Sequence, residues 1–147
     1  MNIRQVLPTD LQEWSRLRNL IWPEDLEGEH STELEKFFAG QPVETLDACF
    51  VCDLDGRLQG FVEVSIRSEA PGCNTDRIGY LEGLYVQEGS RHLGIARELV
   101  NSAETWARSK GCTEMASDTT DEYSHSPDVH YALGYQTVEW RFRKALD

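Results

Sequence analysis

The stretch Arg91-His92-Leu93-Gly94-Ile95-Ala96 constrains this 147-residue chain more than any other. A strand-like run, Tyr80-Leu81-Glu82-Gly83-Leu84-Tyr85-Val86, precedes it, and an amphipathic helical pattern follows. Strand, small-residue turn and helix start leave unpaired backbone N–H groups that suit an anion. The helix expected over residues 94–110 carries Ile95, Leu99, Ala103, Trp106 and Ala107 on one face, with Gly111 as its stop. No Gly-Lys-Ser/Thr follows, so the turn is not a Walker loop. It also falls too late, and lacks the leading glycine pair, for a dinucleotide fingerprint.

The flanking patterns fix an element order. Residues 2–7 read as a first strand, with Thr9 as a helix cap after Pro8. Leu11, Trp14, Leu17, Arg18 and Ile21 recur at helical spacing, and Pro23 ends that helix near Trp22. Ser31 caps a second helix bearing Leu34, Phe37 and Phe38. Residues 47–53 and 58–66 form a hairpin about Asp55-Gly56. A strand over 79–86, the helix above and a short strand over 114–117 follow, and Pro127 opens a last helix that Gly134 closes. A final strand is expected over 135–144, where Val138, Trp140 and Phe142 alternate with Glu139, Arg141 and Arg143. The order β-α-α-β-β-β-α-β-α-β implies one α/β (α+β) domain over 1–147, with a mixed, partly parallel sheet flanked by helices.

Charge and cysteines narrow the function classes. With 26 acidic against 14 basic residues the net charge is −12, which argues against nucleic acid or an anionic membrane surface and is compatible with a cationic substrate. There is no apolar run of spanning length and no N-terminal signal segment, so a cytoplasmic protein is expected. Cys49 and Cys52 form a C-x-x-C inside a buried strand, where they point to opposite faces. No four-ligand metal spacing is evident, and structural thiols without a metal are the expectation.

Arg91-x-x-Gly94-x-Ala96, placed between strand and helix, closely resembles the acetyl-CoA signature of the GNAT acetyltransferase superfamily. The likeness extends along nearly the whole chain. Leu20-Ile21-Trp22-Pro23 with Glu29-His30, then Val64-Ser65-Ile66-Arg67, Leu81-Glu82-Gly83-Leu84-Tyr85-Val86, Gly111-Cys112-Thr113-Glu114-Met115-Ala116-Ser117-Asp118, and His130-Tyr131-Ala132-Leu133-Gly134-Tyr135 occur in order. Together they are similar to the short, chromosomal-type aminoglycoside 6′-N-acetyltransferases. The resemblance implies the GNAT acyltransferase fold, acetyl-CoA as cosubstrate and acetyl transfer to a 6′-amine, a resistance activity. It also implies a homodimer. A polyamine or a protein amino group is the alternative acceptor.

The resemblance assigns roles residue by residue. Leu84, Tyr85 and Val86 pair with the pantetheine arm, while Arg91, His92, Leu93, Gly94, Ile95, Ala96 and Arg97 receive the pyrophosphate at the helix start. Tyr123 lies where the family has a further cofactor contact. The amine arrives as an ammonium and must lose a proton before it attacks, work suited to carboxylates. Glu82, just ahead of a bulge-prone Gly83, is the expected amine contact and proton acceptor, and Asp118 the second carboxylate. His130 is either the acid for the leaving thiolate or a packing residue, with Tyr131 and Tyr123 as other donors. Trp22 and Glu139 complete the expected substrate contacts. One departure stands out: the loop opening Ser68-Glu69-Ala70-Pro71-Gly72 lacks the aromatic that the family usually places there.

Overall fold

A computed structural model describes residues 2–119 and 125–146. Five strands form one sheet in the order β1-β2-β3-β4-β5: Asn2–Gln5, Ala48–Leu54, Arg57–Arg67, Ile78–Val86 and Glu114–Ser117. The first three junctions are antiparallel, and β4 pairs β5 in parallel. The helices are α1 (Leu11–Ile21), α2 (Glu29–Phe38), α3 (Ile95–Ser109) and α4 (Ser126–Ala132).

Two apolar layers sandwich the sheet. On one face Trp14 and Leu17 of α1 and Leu34 of α2 pack against Cys49, Val51, Leu58 and Phe61. On the other, Ile95, Leu99, Val100 and Ala103 of α3 cover Ala48, Cys52, Val62, Val64 and Leu81. Cys49 and Cys52 thus lie in opposite layers, as strand alternation requires. Gly60 sits under α3 because a β-carbon there would approach the Tyr85 carbonyl to 2.7 Å.

Helix starts follow cues other than the hydroxyls expected from sequence. Pro8–Asp10 forms a 3-10 turn, and the Asp10 carboxylate, not Thr9, accepts the Leu7 N–H at 2.8 Å. Arg4 grips the same carboxylate through two bonds, of 2.7 and 3.0 Å. In α2 the cap is Gly28, whose φ of 82° favours glycine, and Ser31 lies inside the helix.

The final strand expected over 135–144 does not form. Residues 135–146 carry no regular secondary structure, and Val138, Trp140 and Phe142 are exposed. Alternation is a property of one strand, whereas pairing needs a second edge in register. Among the described residues, the strand edge on that side belongs to the four-residue β5. Val138 instead lies over Gly72, where a β-carbon would collide with it.

Candidate active site

The site begins where β4 leaves β5. Their pairing covers only Ile78–Leu81 against Glu114–Ser117, although β4 continues to Val86. From Glu82 onward, β4 has no strand on its β5 side among the described residues. At the same point the β3–β4 register slips: Glu63 faces Gly83 and Val64 faces Leu81, leaving Glu82 as the extra residue. The bulge that Gly83 suggested is therefore present, and it sets Glu82 at the mouth of the cleft.

Glu82 is tightly held. Its Oε2 accepts from Ser65 Oγ at 2.5 Å and Arg67 Nε at 2.8 Å, and its Oε1 accepts from Arg67 at 2.7 Å. The Arg67 guanidinium carbon sits 3.6 Å from the centroid of the Tyr80 ring, and the Tyr80 hydroxyl donates to Asp118 at 2.9 Å. Burial, reinforced by the Asp118 carboxylate, pushes the Tyr80 phenol up to about 12, so it remains a donor at neutral pH. Glu82 and Asp118 thereby belong to one network, in the sequence Glu82–Arg67–Tyr80–Asp118.

The Trp22 ring closes one side. Trp22 follows the last turn of α1 and lies over Gly83, where any β-carbon would run into the indole. A buried ion pair fixes it from below. Glu63 accepts from Arg18 at 2.8 and 3.0 Å and from the Trp14 indole N–H at 3.0 Å. Burial raises the Glu63 carboxyl, opposed by the Arg18 guanidinium and then the Trp14 N–H. Arg18 stands 5.4 Å from the Trp22 ring centroid, and His30 Nε2 donates to the Trp22 carbonyl at 2.7 Å.

His130 closes the other side. Its Nδ1 donates to the Ser126 carbonyl at 2.7 Å, which leaves Nε2 to accept from Ser117 Oγ at 2.8 Å. Ser117 is the last residue of β5 and pairs Leu81, so the imidazole stands beside the cleft. The Tyr131 hydroxyl is instead bonded to Thr137 at 2.6 Å.

The turn after β4 has anion-binding geometry. Gly94 caps α3 with a φ of 80°, and His92 has a φ of 67°. The first helical bond runs from Glu98 N–H to the Gly94 carbonyl, leaving the N–H groups of Ile95, Ala96 and Arg97 ahead of it. Nothing lies within 4 Å of where a Gly94 β-carbon would be, so an approach to the backbone is open. Arg91 Nε ties back to the Val86 carbonyl at 2.9 Å, with its charge near the Tyr85 ring. Arg97 is turned to the Ala132 carbonyl at 2.9 Å and braces α4. The open β4 edge, the unpaired N–H groups and the local cations fit a long, phosphate-bearing cosubstrate.

One expected residue is paired away from this cluster, and another is not among the described residues. Glu139 is on the exposed C-terminal segment and accepts from Arg141 at 2.6 Å. Tyr123 lies outside the described residues. Sequence reasoning missed Ser65, Tyr80 and Arg67 as site members. The signal was available: Ser65 and Arg67 alternate on one strand, Tyr80 and Glu82 on its neighbour, and Ser65 pairs directly with Tyr80. Among the described residues no cluster of three or more His, Cys, Asp or Glu could hold a metal ion, and no helix is long and apolar enough to cross a membrane.

A split between the parallel strands, a bulge carrying a carboxylate and a glycine-capped helix define an acyltransferase cleft. The Acetyltransferase (GNAT) family profile matches residues 13–135, and the chain belongs to that family. Its relatives are more specific. It is 38% identical over 146 residues to the aminoglycoside N(6')-acetyltransferase type 1 of Klebsiella aerogenes, covering 98% of this chain and 96% of that one. The protein of the same name from Salmonella enteritidis is 36% identical over 140 residues, 95% of this chain and 94% of that one. Among solved structures, AAC(6')-Iy in complex with the bisubstrate analog CoA-S-monomethyl-acetylneamine superposes with a TM-score of 0.86 at 34% identity, over 99% of this chain and 97% of that one. The apo AAC(6')-IG of Acinetobacter haemolyticus gives 0.84 at 35%, covering all of both chains.

Proposed function

We propose that this chain is an acetyl-CoA-dependent aminoglycoside 6′-N-acetyltransferase, formed by a single domain over residues 1–147. The observation that carries the reading is Glu82, raised on a bulge where β4 parts from β5, with Trp22 on one side and Asp118 on the other. The likeness to named aminoglycoside acetyltransferases supports the substrate class.

Acetyl-CoA, when bound, supplies an activated acetyl carbon. The N–H groups at Gly94–Arg97 receive its phosphates, with Arg91 and His92 as neighbouring side-chain donors, and the free edge at Leu84–Val86 holds its pantetheine arm. Tyr123 is assigned a further contact to it. An aminoglycoside amine reaches the site protonated, with an ordinary pKa of about 10. Asp118 and Glu82 receive the ammonium, Glu82 takes its proton directly or through one water, and the neutral nitrogen attacks. Trp22 presents an aromatic wall to a sugar ring, and Glu139 contributes a second amine contact from the C-terminal segment. His130 returns a proton to the departing sulfur from Nε2, which must first be protonated and released from Ser117.

The exposed alternation of Val138, Trp140 and Phe142 supports a homodimer in which this segment is covered by a second copy. The cytoplasm, where acetyl-CoA is made, is the inferred compartment. One observation favours a second acceptor class: residues 68–77 contain no aromatic. Thiol release by the purified chain, followed with kanamycin, tobramycin, spermidine and lysine peptides, tests both readings. Turnover with the drugs alone establishes the first. Turnover only with spermidine or peptides establishes the second. Absence of any turnover while acetyl-CoA binds overturns the assignment.

A further inference from the structure

Arg67 stands between the two carboxylates of the proposed amine site. It spans Glu82 with two short bonds and covers the ring of Tyr80, whose hydroxyl holds Asp118. The Glu82 side chain is only 10% exposed and that of Arg67 is 38% exposed, so an arriving ligand meets the guanidinium first. Among the described residues, the groups that act on Arg67 come from two neighbouring strands. Tyr80 and Glu82 come from β4, and Asp118 from the end of β5. Arg141 of the C-terminal segment acts on Tyr80 and Asp118 and is itself paired with Glu139, while His130 stands behind Ser117. Two negative charges, Glu82 and Asp118, therefore enclose one fixed positive charge, Arg67.

A substrate ammonium placed between two carboxylates alone would be held in its charged, non-nucleophilic form. A guanidinium in the same site opposes that, because it stays charged at every accessible pH and repels a second cation. Resting on the reading of Glu82 and Asp118 as the amine site, we propose that Arg67 is a positioning residue with two linked tasks. In the free protein it occupies the place of the substrate ammonium on Glu82. With substrate bound it remains as the neighbouring cation that loosens the amine's hold on its proton. Binding is weakened and the chemical step is eased by the same charge.

The test uses the full chain, its Arg67→Gln variant and the charge-preserving Arg67→Lys. Tobramycin is titrated calorimetrically in buffers of different ionisation enthalpy, which counts the protons released on binding, and kcat is measured against pH at saturating substrate. Arg67→Gln is expected to bind tobramycin about tenfold more tightly and release fewer protons. Its acid limb of kcat should move up by about one pH unit, so that kcat at neutral pH falls about tenfold. Arg67→Lys should return the limb to its original position. If Arg67→Gln gives no cooperative melt, Arg67→Met, which keeps an apolar stem over Tyr80, takes its place. Proton release and an acid limb that coincide with the unaltered chain overturn the proposal while leaving the proposed function standing. Failure of the unaltered chain to bind tobramycin overturns the proposed function, and this inference with it.

Discussion

Replacing Glu82 by Gln keeps a side-chain oxygen for Ser65 and Arg67 but removes the proton acceptor at the bulge. A loss in kcat of roughly 10²–10⁴-fold is expected, with tobramycin binding weakened less, readable by steady-state kinetics. Gly83 provides a separate test of the Trp22 wall. An alanine there must displace the indole, since the β-carbon has no other space. Gly83→Ala should raise KM for the aminoglycoside while leaving KM for acetyl-CoA near its original value, and it should cost about 1–3 kcal/mol in urea unfolding. The bulge was legible in the sequence because Gly follows Glu in an otherwise apolar strand. Arg67 was not, because its function depends on a partner 15 residues away across the hairpin, and a strand-end arginine carries no mark of its cross-strand neighbour.

Between elements, the buried Arg18–Glu63 pair joins α1 to β3 and supports the residue that lines the cleft. Removing one partner strands the other charge in an apolar layer, so Arg18→Met should destabilise by about 3–5 kcal/mol in denaturant titration. Asp10 makes the N-terminal turn pH-dependent. Burial pushes its carboxyl up, but the Arg4 bond, then the Leu7 N–H and the Arg4 charge, outweigh that and hold it below the usual carboxylate range. A depressed acid contributes stability that is complete above its unfolded pKa of about 3.9 and is lost as pH falls toward the lower folded value. Urea unfolding should therefore show stability declining below about pH 4, with a shallower decline in Asp10→Asn. Helices with a strong apolar stripe, such as α3, were readable to within a residue or so at either end. The final strand was misread because hydrophobic alternation records which face is apolar and not whether a pairing edge exists.

For the molecule as a whole, an excess of 12 negative charges draws a polycation toward the cleft and is screened by salt. Raising salt from 20 to 500 mM should increase KM for tobramycin more steeply than kcat falls. The exposed tail bears on assembly. If a second copy covers it, Trp140→Ala with Phe142→Ala should convert a dimer to a monomer by sedimentation, and a parent that already sediments as a monomer removes the dimer from the proposal. The architecture also settles the accessibility of its sulfur atoms. Cys49, Cys52 and Cys112 are enclosed by the packed layers, while Cys73, in the loop that lacks an aromatic, is half-exposed. A maleimide fluorophore should accordingly label the native chain once, at Cys73, without mutagenesis. Its emission would then report the movement of that loop when an antibiotic is added.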